Sequence, residues 1–340
     1  MTETSLSQPA PMTQDSSPPA ATPATSRKTP LQSPAAPGAV PHADELTPGE
    51  RHAVWEVDGT KIGFTIEGDT RRGQDTVLFL SGDDPIKGCT WQEEGYHVAS
   101  FLETPGFASL LSHITNLIHT HIEQYRATKE PIPPVPLPAR DLSSPTEFSL
   151  TSYHAWADEQ CHTDLMTRLQ AGLPLTDLPL PPETMENRVS RLLGRQMSWE
   201  HPSSENCAFA RPLFFIRIVR PHSQDHTPPH RDSRLGYCPN GITVHVPLAG
   251  STSISSLALA PSSHLWNEKE IERTCPGARV NGIPSRVPAI VSCAAGMQLT
   301  RPNPRANEVL LFTPHLIHGA DINSTTSTTR VTLEFRLWPV

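Results

Sequence analysis

Short runs in which apolar and polar residues alternate fill the second half of the chain. Pro212–Val219, Ile242–Leu248, Ser256–Ala260, Glu308–Thr313 and Thr329–Trp338 read as strands, and clusters of Gly, Pro, Asn and Ser separate them. Arg51–Ser81 predicts two or three more, Thr76–Leu80 among them. A different period governs the segment between. Phe107, Leu110, Leu111, Ile114, Leu117, Ile118 and Ile122 recur at steps of three and four, which predicts one buried face of a helix over 107–125. A second helix is expected over 153–169, with Tyr153, Trp156, Leu165 and Leu169 inward. A third is expected over 182–196, entered through prolines and ended near Gly194. Pro131–Pro138 carries five prolines in eight residues and reads as a surface connection in polyproline II. Helices thus come first and an all-β half follows, the texture of a barrel or jelly roll. No internal repeat interrupts it.

Composition changes this picture at one end. Apolar residues make up 36% of the 340, and the deficit is concentrated in residues 1–45, which are rich in Pro, Ser, Thr and Ala. Such a segment buries too little surface to offset its ordering entropy and is expected to be a disordered tail. Residues 46–340 are expected to form a single domain, with helices and edge strands over 46–205 and the β core over 206–340. The net charge of −8, with no basic cluster among aromatic residues, argues against a nucleic-acid partner. No run of 18 apolar residues offers a membrane span. The six cysteines form no C-x-x-C pair, so reduced thiols and a cytoplasmic location are expected.

The candidate chemistry begins at Pro228-Pro-His-Arg-Asp232. In an extended segment His230 and Asp232 project to the same side and can address one metal ion. Jelly rolls of the cupin kind gather metal ligands from early and late strands, so a third ligand should sit near a late strand. His315 and His318 are both available there. Two histidines and a carboxylate form the facial triad that leaves positions open on non-haem Fe(II). Twelve residues beyond His318, Arg330 and Thr332 alternate onto one face of a strand. A guanidinium fork beside a hydroxyl suits the distal carboxylate of 2-oxoglutarate. Arg231 should point away from the metal and pair with an acid or a substrate anion. His222 and His226 read as solvated or structural and His264 as structural. His245 reads as lining the barrel interior.

Over residues 90–340 the chain resembles the phytanoyl-CoA dioxygenase-like group of Fe(II)/2-oxoglutarate oxygenases. The resemblance rests on Glu94-Gly-Tyr-His-Val-Ala-Ser-Phe-Leu102, Arg191-Leu-Leu-Gly194, Val246-Pro-Leu248, Leu259-Ala-Pro-Ser-Ser-His-Leu-Trp266, and Leu316-Ile-His-Gly-Ala320 with Asn323 before Arg330. Ser262 departs from the family's glycine in the "PGSH" turn, and the segments 131–150 and 268–306 have no counterpart. The resemblance implies an α+β fold with a double-stranded β-helix (jelly-roll, cupin-like) core and flanking N-terminal helices. It favours His318 over His315 beside His230 and Asp232, and gives Arg330 and Thr332 to the cosubstrate.

The implied activity is hydroxylation of a small metabolite or natural product with Fe(II), 2-oxoglutarate and dioxygen, supported by ascorbate in vitro, in a monomer or homodimer. Asp232 argues against the superfamily's halogenating members, which have a small residue there; desaturation and cyclisation stay open. Two rivals stand beside this reading. A catalytically inactive jelly roll serving as a ligand-binding or scaffold module has no physical reason to keep His230, Asp232, His318 and Arg330 together. A cupin-like metal enzyme without 2-oxoglutarate needs no Arg330 and usually has a third histidine in place of Asp232.

Overall fold

The computed structural model describes residues 50–129, 147–201, 212–223, 227–234, 240–320 and 322–340. The N-terminal tail, Pro131–Pro138, Cys207, His226 and Cys238 lie outside them. β1 (Glu50–Val57) and β2 (Thr60–Glu67) form a hairpin turning on Asp58 and Gly59, both at positive φ, as a two-residue turn between right-twisted strands requires. β3 (Thr70–Arg72) follows. Thr76–Leu80, expected as a strand, contains instead the helical turn α1 (Leu78–Ser81). Phe79 is buried while Leu80 is 66% exposed, so the run has one residue to anchor and no apolar face to lend a sheet.

β4 (Tyr96–Ser100) leads into α2 (Thr104–Thr128), which has Pro105 in its first turn and buries Phe107, Leu110, Ile114, Ile118 and Ile122. The helix expected over 153–169 is two pieces, a 3₁₀ turn over 150–155 and α3 (Glu159–Gln170). Asp158 divides them, because its carboxylate accepts the Cys161 N–H and caps a new helix. After β5 (Leu173–Pro174) comes α4 (Pro182–Leu193), which ends at Gly194 in the left-handed conformation, and then β6 (Met197–Ser198).

The remaining strands are β7 (Leu213–Val219), β8 (Ile242–Ala249), β9 (Ala258–Leu259), β10 (Ile271–Thr274), β11 (Arg279–Val280), β12 (Ile283–Pro284), β13 (Ile290–Cys293), β14 (Gln298–Leu299), β15 (Glu308–Phe312), β16 (His318–Gly319) and β17 (Arg330–Pro339). The larger sheet runs β4-β15-β8-β17-β7-β5, with β6 also on β17. Opposite it lies the β16-β9 pair, extended on one side by a His230–His318 bridge and on the other by Leu259–Thr300. Leu259 from the small sheet and the preceding Leu257 pack on Leu310 and Phe312 from the large one. This ordering is the double-stranded β-helix. The fold class is therefore α+β with a jelly-roll core.

β17 is buried on both faces. Val331, Leu333, Phe335 and Leu337 join the apolar core that holds α2, α3 and α4 against the large sheet. Arg330, Thr332, Glu334 and Arg336 occupy the alternate, inward face. The segment 268–306, which has no counterpart in the family the motifs resemble, supplies β10 to β14. These strands pair with the N-terminus: β14 with β1, β11 with β2 and β10 with β3. The N-terminal strands therefore extend the small-sheet side. Alternation marks a strand but says nothing of a partner about 200 residues away.

Candidate metal centre

The Pro228–Asp232 segment is held against the segment around His318 by two reciprocal backbone hydrogen bonds. His230 N–H donates to the His318 carbonyl at 2.9 Å, and His318 N–H donates back at 3.0 Å. Gly319 makes this approach possible. Its φ is +129°, and a Cβ there would stand 2.7 Å from the Pro228 carbonyl oxygen. The two imidazoles consequently face each other, with ring centroids 4.4 Å apart.

His230, Asp232 and His318 each offer a ligand atom within 4.8 Å of the others, and all three are buried. Asp232 Oδ1 lies 3.4 Å from His230 Nε2 and 3.7 Å from His318 Nε2. Adjacent ligands on an octahedral ion with bonds near 2.1 Å are about 3.0 Å apart, so each imidazole would close on the carboxylate oxygen by less than about 1 Å when a cation binds. The other ring nitrogens are occupied. His230 Nδ1 lies 2.9 Å from the Pro228 carbonyl and His318 Nδ1 lies 3.1 Å from the Leu316 carbonyl. A carbonyl only accepts, so Nδ1 carries the proton and each Nε2 lone pair turns toward Asp232.

Electrostatics agree with this arrangement. Burial, helped by the neighbouring His230, pushes His318 down to about 4 against the pull of Asp232, so the ring is neutral at pH 7. Burial alone would raise Asp232; Arg336, then His318 and His230, overcome it and hold the carboxyl well below the usual range. Asp232 Oδ1 has no hydrogen-bond partner among the described residues. A buried carboxylate oxygen converging with two imidazole nitrogens is a donor set that fits a divalent cation.

His315, the alternative to His318, lies elsewhere. Its Nε2 is 3.8 Å from Asp84, a buried carboxyl pushed up to about 6 by burial. Asp84 accepts from Thr313 Oγ1 and from Ile86 N–H, which fixes the turn leading to His318. Arg231, between the two ligands of the Pro228–Asp232 segment, points away from the triad and donates to Glu268 and to the Ser263 carbonyl. Glu268 also receives Arg273, and all three side chains are buried. Glu268→Ala is expected to cost about 3–5 kcal/mol, read from the denaturant midpoint, because it strands buried cations; an unchanged midpoint would show the cluster to be solvated.

Ser262 takes φ +60°, so the "PGSH"-like turn keeps its left-handed geometry without glycine. His264 is structural: its Nε2 lies 2.8 Å from the Gln92 carbonyl and its ring packs edge-on to Phe79. His245 lies inside the barrel, opposite Glu334 in register. His222 is exposed. Arg330 and Thr332 are fully buried at the start of β17, and Arg330 Nη1 donates to the Ser255 carbonyl at 2.8 Å. Asn323 shapes the approach to this strand by donating to the Val219 and Thr328 carbonyls.

A small cavity adjoins the triad, lined by Arg217, Thr227, His230, Leu257, His318, Gly319 and Glu334. Arg330 stands four residues before Glu334, about 13 Å along the strand, on the same face. Sequence reasoning missed Arg217, Thr243, Glu334 and Arg336. Glu334 accepts from Arg217 at 2.6 Å, and Arg336 reaches both Glu334 and Asp232. Arg217 and Arg336 outweigh the burial of Glu334 and bring it down to about 2. The signal for two of these residues was present: the alternation that pairs Arg330 with Thr332 continues through Glu334 and Arg336.

No family model matches the sequence, and no curated protein matches it. Solved structures do. EctD from S. alaskensis, with 2-oxoglutarate and 5-hydroxyectoine, is 16% identical over 80% of this chain and 84% of its own, with a TM-score of 0.40. The non-haem monooxygenase ThoJ is 16% identical over 75% and 77%, with a TM-score of 0.39. SnoN, a non-haem α-ketoglutarate-dependent epimerase from nogalamycin biosynthesis, is 13% identical over 73% and 79%, with a TM-score of 0.34.

Proposed function

We propose that this chain is a non-haem Fe(II)/2-oxoglutarate-dependent dioxygenase that hydroxylates a small molecule, related to the phytanoyl-CoA dioxygenase-like enzymes its motifs resemble. The observation that carries this reading is the buried triad, with both imidazole protons tied to carbonyls and Asp232 Oδ1 left without a donor. His230, Asp232 and His318 would hold Fe(II), which would supply the oxidising power for a reaction that consumes dioxygen and 2-oxoglutarate.

The remaining work falls to the chain. His230, Asp232 and His318 hold one face of the ion and leave the other for exchangeable ligands. Arg330 takes the distal carboxylate of 2-oxoglutarate, and Thr332, whose buried hydroxyl has no hydrogen-bond partner among the described residues, assists it. Residues 46–340 act as one catalytic domain. Among the described residues no helix is long and apolar enough to cross a membrane.

The test is formation of succinate from 2-oxoglutarate by purified protein with Fe(II), ascorbate and air. Slow turnover is expected even without the prime substrate, and it should vanish in His318→Ala. Metal binding without succinate formation would favour the inactive jelly roll. Oxidation of a substrate without 2-oxoglutarate would favour the cupin-like alternative. Removing residues 1–40 is expected to leave the melting temperature and the succinate rate unchanged, since that segment has no apolar face to dock; a large loss of either would place it in the working enzyme.

A further inference from the structure

We infer that Arg336 is a positioning residue that holds Asp232 to ligation through a single oxygen, and thereby keeps one more coordination position open on the metal. The inference rests on His230, Asp232 and His318 being the ligands. The two oxygens of Asp232 have very different surroundings. Oδ2 accepts from Arg336 Nη2 at 2.8 Å, from Arg336 Nε at 3.3 Å and from Thr243 Oγ1 at 3.0 Å. Oδ1 accepts from nothing and faces the two histidine Nε2 atoms.

A carboxylate with two equivalent oxygens can close on a divalent ion with both. Here Oδ2 would first have to release a guanidinium in a site where Asp232 is 2% exposed, giving up charge-assisted bonds that water cannot replace. The fold makes that release harder. Thr243 and Arg336 are register partners on β8 and β17, so two adjacent strands of the large sheet grip the same oxygen. Glu334 lies 3.5 Å from the same Arg336 Nη2 and is itself held by Arg217.

The consequence follows from counting positions on an octahedral ion. Two histidines and a one-oxygen carboxylate leave three positions, whereas a two-oxygen carboxylate leaves two. A chelating 2-oxo acid takes two. Only the one-oxygen arrangement then leaves a place for a further ligand.

Mn(II) serves as the probe, and water-proton relaxation counts its exchanging inner-sphere waters. Three are expected in the unaltered protein and two in Arg336→Met, because Asp232 Oδ2 then turns to the metal. Arg336→Lys keeps a cation on that oxygen and should retain three. Should Arg336→Met fail to fold, the charge-balanced double variant Arg336→Met with Glu334→Gln reads the same loss of one water. A crystal structure of the unaltered Mn(II) form needs no substitution at all: Arg336 should still contact Oδ2, with that oxygen clear of the metal. Two-oxygen ligation in that structure, or three waters in a folded Arg336→Met variant, overturns the role of Arg336 alone. Mn(II) binding that is indifferent to His230→Ala would instead overturn the ligand assignment beneath it.

Discussion

Asp232→Gly is expected to abolish 2-oxoglutarate turnover almost completely. The substitution removes the only anionic member of the triad and leaves Arg336 facing the metal site without the carboxylate that now intervenes. A buried cation beside a divalent ion repels it, so affinity for the metal should fall together with the rate. Asp232→Glu tests position rather than charge. The extra methylene moves the oxygen by about 1 Å, and displacements of that size can cost about a hundredfold in rate. Succinate formation and metal content, measured on the same samples, separate the two effects. Full activity in the glycine variant would remove Asp232 from the metal and undo the triad.

The second large effect is expected at Arg330. This arginine is fully buried at the head of β17, with one guanidinium nitrogen on the Ser255 carbonyl. Arg330→Ala should raise the 2-oxoglutarate requirement by the equivalent of about 2–5 kcal/mol, the usual cost of truncating one partner of a buried charge-assisted pair. Metal binding should be spared, because the triad is built from other elements. Arg330→Lys should recover only part of the loss, since a point charge lacks the planar fork. An unchanged dependence on 2-oxoglutarate in the alanine variant would take Arg330 out of the cosubstrate site and turn attention to Arg217, which lines the cavity beside His230 and His318.

Both predictions concern residues that local pattern makes visible. His230 and Asp232 are two apart in an extended segment, and Arg330 and Thr332 are two apart in a strand, so a period of two is enough to place each pair on one face. The jelly roll was legible for a similar reason: β7, β8, β15 and β17 are alternating or apolar runs bounded by turn residues. What local pattern could not supply was pairing at a distance. Nothing in Glu50–Arg72 announces that its partners lie in β10, β11 and β14. The same limit hid the polar lining of the site. Thr243 reads as an ordinary strand threonine until β8 and β17 are aligned and it meets Arg336 across the register.

The choice between His315 and His318 shows the difference at the scale of one residue. They are three apart and equally available by type. Backbone pairing separates them: His318 is bridged to His230 beneath Gly319, whereas His315 turns toward Asp84. Thr76–Leu80 makes a similar point. An apolar run of four, Val77–Leu80, is ambiguous between strand and helix, and here one buried phenylalanine anchors a helical turn.

The central claim is that one buried triad binds a metal which in turn binds 2-oxoglutarate. Anaerobic calorimetric titration of 2-oxoglutarate into Fe(II)-loaded and metal-free protein addresses it without knowledge of the substrate. The account predicts one molecule bound per chain when Fe(II) is present, and binding that is lost without metal and in His318→Ala but kept in His315→Ala. Equal binding with and without metal, or loss in His315→Ala rather than His318→Ala, would contradict it.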